Sequence, residues 1–339
     1  VPGSGIAYTF GAAAPKGNYG SLRTRGWEVS LDYNHRFNNG LGINAMFTLS
    51  DAQTEITEYS DTRLISDYYV GKKYGEIWGY RTERLYQKDD FVYDNNGELV
   101  TVWALNGKEV AAGTPGAKEM NKLKDPNGVY QDYFQTGTIK FGPGDLKYKD
   151  VNGDGIINGM DERPIGYPEG WAPIMSFGGN IGLQWKGIDL NIDLSGGAMQ
   201  GWRQNYELAN AYHGNGNSPV YLLEDRWHRA DLYDPDSEWI PGRYPAIRKG
   251  EFSYNNKNSD FWLHNVRYLR IKNLEVGYSL PAQLLRPIRA QKVRVYANVS
   301  NLCSFDNVGK FGVDPEITAA AAVVYPQQRT FLLGFNITY

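Results

Sequence analysis

The chain has little of what most catalytic or metal-dependent proteins carry. A single cysteine, Cys303, stands among 339 residues, so no internal disulfide can form and thiol redox chemistry is not expected. It reads as a small packing residue. Four histidines, His35, His213, His228 and His264, are scattered without the HExxH or paired-cysteine spacing of a zinc site. There is no G-x-S-x-G elbow and no phosphate-binding P-loop. Neither sign of charge is in excess, with 35 basic against 38 acidic residues, which argues against nucleic acid as a partner. No run of about 18 apolar residues is present, which excludes a membrane-spanning helix. It does not exclude strands, where only every second residue need be apolar. The opening residues, VPGSGIAYTFGAAAPKG, lack the basic start and apolar core of a secretory signal. They are expected to continue a longer polypeptide.

What the chain has is aromatics and turns: 25 Tyr, 13 Phe, 9 Trp and 39 Gly, a β-rich mixture suited to aromatic girdles and long surface loops. Its organising stretch is the last one, RTFLLGFNITY. Phe331, Leu333, Phe335, Ile337 and Tyr339 are apolar and alternate with Thr330, Leu332, Gly334, Asn336 and Thr338, the period of a strand. Its length suits a tilted bilayer crossing of about 9–11 residues. A soluble sheet with one wet face shows the same alternation. Similar alternation predicts seven strands near 22–37, 41–50, 174–185, 188–196, 266–280, 291–301 and 328–339. The connections between them alternate: short at 38–40, 186–187 and 281–291, tens of residues long elsewhere. That asymmetry is the pattern of an outer-membrane barrel, with short periplasmic turns and long extracellular loops. It puts the carboxyl terminus on the periplasmic side. Seven is odd where an even bacterial count is the rule, so further strands are expected upstream. The fold class is therefore all-β, a transmembrane antiparallel β-barrel with long extracellular loops, and residues 1–339 belong to one barrel domain.

One local motif stands out. In DVNGDGIINGMD, Asp150, Asn152, Asp154 and Asn158 fall at positions 1, 3, 5 and 9 of an EF-hand-type loop. Ile156 offers its carbonyl from position 7, and Asp161 closes the loop at 12. Oxygen donors at alternate positions converge on a hard cation, and Gly155 permits the sharp turn. Asp replaces the usual Glu at position 12, so weaker binding of a structural Ca2+ is expected. A solvated Asx-rich turn is the alternative. Trp78, Trp103, Trp202, Trp227 and Trp239 lie in predicted loops or at their edges, where they suit either loop packing or contact with a substrate or lid protein. Trp27 and Trp185, on strands, suit an interfacial girdle. Acidic clusters at Glu224-Asp225 and at Asp234, Asp236 and Glu238 could supply a glycosidase pair, but sequence does not bring two carboxylates together and no catalytic residue is assigned.

Several stretches together resemble the carboxyl-terminal part of the SusC/RagA-type TonB-dependent outer-membrane transporters of Bacteroidota: NYGSLRTRGWEVSLDYNHRF, VGKKYGEIWGYRTERLYQ, GDLKYKDVNGDGIINGMDERPIGYP, VRYLRIKNLEVGYSLP, VRVYANVSNLCSF, VDPE and YPQQRTFLLGFNITY. Cys303 departs from a bulkier apolar residue. The resemblance implies a 22-stranded barrel with an amino-terminal plug that these residues do not include. It also implies import of oligosaccharides or oligopeptides powered by TonB through that absent part, and a SusD-like lipoprotein as lid. Phe331, Leu333, Phe335, Ile337 and Tyr339 would then signal to the barrel-assembly machinery, and outer-membrane lipid would face the apolar wall. A secreted, calcium-stapled glycan-binding or adhesion β-protein is the alternative from a different class.

Overall fold

The computed structural model describes residues 11, 20–59, 69–169, 173–231, 233–234, 236–247, 254–316 and 325–339; the opening loop, Gly11 apart, lies outside them. Seven long strands form one antiparallel sheet in chain order: β1 (Gly20–Arg36), β2 (Gly42–Tyr59), β3 (Met175–Trp185), β4 (Ile188–Arg203), β5 (Leu263–Ser279), β6 (Lys292–Asp306) and β7 (Thr330–Thr338). Each pairs only with its sequence neighbour, the order of an up-and-down barrel wall. Among the described residues the sheet is open, with β1 and β7 as its edges.

The register shows why alternation produces this wall. Side chains in directly paired positions share a face, so the pairings can be followed across the whole sheet. One row runs His35, Ile43, Leu183, Leu190, Val276, Ala297, Leu333, and its neighbour runs Tyr33, Ala45, Ile181, Ile192, Leu274, Val299, Phe331. The intervening row, on the opposite face, is Asn34, Asn44, Gly182, Asn191, Glu275, Asn298, Leu332. A one-residue slip of any strand would exchange the two faces. The apolar face is uncovered: Leu31 is 65% exposed, Phe331 71% and Leu333 85%. An uncovered apolar face of this kind is what the outer side of a transmembrane barrel presents. On the polar face, side chains join across strands. Asn180 Nδ2 donates to Asn191 and Asp193, and Arg294 of β6 pairs with Asp189 of β4 and Glu275 of β5.

The short turns gather at one end. Between β3 and β4, Lys186 and Gly187 both adopt positive φ, 48° and 88°, as a two-residue type I′ turn requires. A Cβ on Gly187 would stand 2.8 Å from the Ser279 carbonyl, so the position excludes other side chains. β5 and β6 are joined by a short helix, Ala282–Leu285, and a turn of 3₁₀ helix, Arg286–Ile288.

At the other end the long connections do not run as structureless chain. Residues 69–169 and the described residues between 204 and 262 fold together around a largely aromatic core that includes Tyr86, Phe91, Phe134, Phe141, Leu146, Tyr148, Trp227, Tyr254 and Trp262, all buried. Small sheets brace them, among them three strands at Thr101–Leu105, Lys108–Val110 and Lys118–Asn121. Burial of each large side chain contributes about 1.5–3 kcal/mol, enough together to hold segments whose polar sequence disguises a core. Much of the aromatic content that suggested girdles is spent here instead.

Candidate functional site

The loop-side end of the wall carries the features that could meet a cargo or a partner. There the connection after β6 turns back onto the polar face. Val308, Phe311 and Val313 are buried against Trp202 of β4 and Val266 of β5. The Trp202 ring stacks on His264 at 5.4 Å and meets Phe311 at 5.6 Å. Beside this apolar contact, Arg270 of β5 is buried and doubly paired: Nη2 lies 2.7 Å from Asp314 Oδ2 and Nη1 2.8 Å from Glu316 Oε2. Lys272 also reaches Glu316, at 2.6 Å, and Ser195 Oγ donates to its other oxygen at 3.0 Å. Arg270 and Lys272 lie within VRYLRIK and Asp314 and Glu316 within VDPE, stretches that only the fold joins. Two cations at alternate positions on a polar strand face, and two acids in a downstream loop, were the available signal.

The loop 150–161 closes on its own backbone. Asp150 accepts from the N–H groups of Gly153 and Gly155, Asp154 from Ile156, and Asn158 from Met160. The fully buried Asp161 accepts from Val151 and Asn152 with one oxygen and from Asn158 with the other. Asn152 accepts from the Asp154 N–H and donates to its carboxylate. Gly153 and Gly155, at φ 75° and 80°, allow this winding. Among the described residues no three His, Cys, Asp or Glu side chains are grouped as metal ligands. The carboxylates that a cation would use are engaged as caps, and oxygens from Asn152, Asn158 and the Ile156 carbonyl would have to complete any shell.

The five loop tryptophans are not brought together. Trp202 and Trp227 are buried, 0% and 3% exposed, and of the two expected roles they take loop packing here, their rings filling the two loop cores. Trp239 packs 6.4 Å from Trp227 and lies under the Arg229 guanidinium at 4.3 Å. Trp78 is half-buried and donates to Glu76 at 2.7 Å. Trp103, on its own small sheet, is 37% exposed. Aromatic content alone does not tell a packed ring from an open one. On β7, Phe331, Leu333, Phe335 and Ile337 all project from the exposed face, with Tyr339 just beyond the strand, 76% exposed.

No protein-family model matches the chain. Among curated proteins it is 24% identical over 340 residues to TonB-dependent receptor P3 of Formosa agariphila, covering 95% of this chain and 29% of that one. It is 23% identical over 344 residues to TonB-dependent receptor SusC of Bacteroides thetaiotaomicron, covering 94% of this chain and 32% of SusC. The chain thus spans about a third of the length of the curated relatives it matches. Among solved structures it superposes on the RagAB peptide transporter with a TM-score of 0.59 at 18% identity, over 98% of this chain and 31% of the other. With the seven-stranded wall and its two-faced register, these likenesses bear out the resemblance of the chain to part of a TonB-dependent receptor of the SusC/RagA type.

Proposed function

We propose that the chain serves in TonB-dependent import across an outer membrane, as the barrel wall and loop cap of a SusCD-type complex that takes up oligosaccharides or oligopeptides. The observation that carries this reading is the pair of continuous rows on the seven strands, apolar on one face and polar on the other. Such a wall separates lipid from a wet interior. The named relatives are receptors and transporters rather than enzymes, which supports a non-catalytic role. In this reading the long loops are extracellular and meet a SusD-like lipoprotein lid, the carboxyl terminus is periplasmic, and energy arrives from TonB through an amino-terminal part. The exposed row on β7 is offered to the barrel-assembly machinery. A structural Ca2+ in the loop 150–161 belongs to the same proposal, supported by the spacing of its oxygen donors.

The test is to extract the intact parent polypeptide from its native membrane, determine its mass under denaturing conditions, and identify co-purifying lipoprotein by mass spectrometry. A polypeptide about three times this length, as a plugged 22-stranded barrel demands, together with a lipoprotein and uptake that stops when TonB is deleted, supports import. A detergent-free soluble protein of this chain's own mass overturns it in favour of a secreted β-protein.

A further inference from the structure

Where β4 ends, the chain passes Arg203 and enters a turn with backbone strain. Tyr206, Tyr212 and Asn215 adopt positive φ, 47°, 61° and 62°, a conformation that is an outlier for a bulky residue such as tyrosine. Strain of this kind concentrates at ligand clamps. Here it borders a cleft of about 190 Å³ between the 203–213 segment and residues 256–258, enough for one sugar ring or one amino-acid residue. Tyr206 presents its ring at the mouth, 45% exposed, held edge-on to His213 at 5.5 Å. His213 is turned toward Glu207.

The lining has a definite chemistry. Four asparagines, at 205, 210, 256 and 258, supply neutral donors and acceptors, and Arg203 and Lys257 supply positive charge. No carboxylate lines the cleft among the described residues, in a chain whose acids outnumber its bases. Arg203 is incompletely paired. Nη1 donates to Asn258 Oδ1, Glu169 stands 3.9 Å from Nη2, beyond hydrogen-bonding range, and the buried Nε has no partner. The Arg203 side chain as a whole is 25% exposed, so its charge is not sealed off from the cleft it lines. Lys257 Nζ lies 5.5 Å from the Phe134 ring.

We propose that this cleft is a cargo subsite for a chain bearing a carboxylate: the anion sits between Arg203 and Lys257, the asparagines bond the adjoining amides or hydroxyls, and Tyr206 covers the residue. The proposal rests on the import reading. A carboxylate of this kind has two sources, the free end of a short peptide or a uronate of an acidic oligosaccharide, and the arms of the test separate them.

The experiment is calorimetric titration of the intact detergent-purified complex with four probes: trialanine, trialanine amide, trigalacturonate and its methyl ester. One acid binds at least tenfold more tightly than its neutral partner, and which acid does so names the source. Arg203→Gln and, at the cleft edge, Lys257→Gln each weaken that acid about tenfold or more, in proportion to a lost charge-assisted bond. Heat-modifiable migration on gels, unchanged from wild type, shows that each variant remains a folded barrel. Equal affinity for acid and neutral probes, or full affinity in a folded Lys257→Gln variant, overturns the subsite. Cellular uptake that depends on TonB but ignores both substitutions overturns the subsite while leaving the import reading intact.

Discussion

Neutralising Asp314 and Glu316 together, as Asp314→Asn with Glu316→Gln, should release the loop after β6 from the polar face of the wall. The Arg270 side chain is 5% exposed and those of its partners 14% and 18%, so the double variant leaves a buried guanidinium with no counter-charge. Removing the partners of such a charge costs about 3–5 kcal/mol. At tenfold for every 1.4 kcal/mol, the local opening equilibrium rises about a hundredfold to a few thousandfold. Hydrogen exchange reads this directly at the amides of Phe311 and Gly312, which bond to the Val308 and Gly309 carbonyls. Either single variant leaves one carboxylate on Arg270 and loses only a charged hydrogen bond of about 1.5–3 kcal/mol, a ten- to hundredfold effect. Lys272→Gln serves as control. Its side chain is 39% exposed, and solvent screening limits its pair to about 1 kcal/mol or less. Unchanged exchange at Phe311 in the double variant would refute the idea that the ion cluster holds the loop. The apolar contact of Val308, Phe311 and Val313 would then be sufficient by itself.

Replacing Tyr339 with Ser, or adding a charged tail beyond it, should lower the amount of assembled barrel in the outer membrane; wild-type levels by heat-modifiable migration would remove the terminal-signal reading. Replacing Asp150 and Asp154 with Ala should make the loop 150–161 protease-sensitive without loss of the barrel, since three backbone N–H caps disappear. If a chelator reproduces the effect in the unaltered protein, Ca2+ is present, and if sensitivity ignores both treatments the metal is dropped. Asp90 offers a pH test: partial burial raises its pKa, but Arg84 and the Gln87 N–H outweigh this and hold the carboxyl below its ordinary value. Its contribution is therefore complete above about pH 4 and lost as pH falls through the depressed value. Protection of the amides in the turn around residue 90, that is, exchange corrected for its intrinsic pH dependence, should fall on going from pH 5 to pH 3 in the native protein and respond less in Asp90→Asn; equal acid responses would count against the pairing.

Period-2 patterning carries a barrel wall almost completely, because the face each residue takes depends only on its parity along a strand. Trp27, Val29, Leu31 and Tyr33 read as one face of β1 before any fold is known, and the pairings carry that face unbroken to β7. The turn chemistry was equally local, as Lys186-Gly187 shows. The loops obey no such rule. Trp202 and Trp103 look alike in sequence, yet one is wholly buried against His264 and Phe311 and the other is 37% exposed. That difference arises from contacts between segments far apart along the chain. For the same reason Asp314 and Glu316 met Arg270, and Arg203 met Asn258, only in three dimensions. By itself, then, the sequence determined the sheet, its two faces and its short turns, all set by neighbours a few residues apart. Tertiary structure decided which aromatics became core, which charges became paired and where a cleft was left open, because long-range packing alone decides what a loop residue touches.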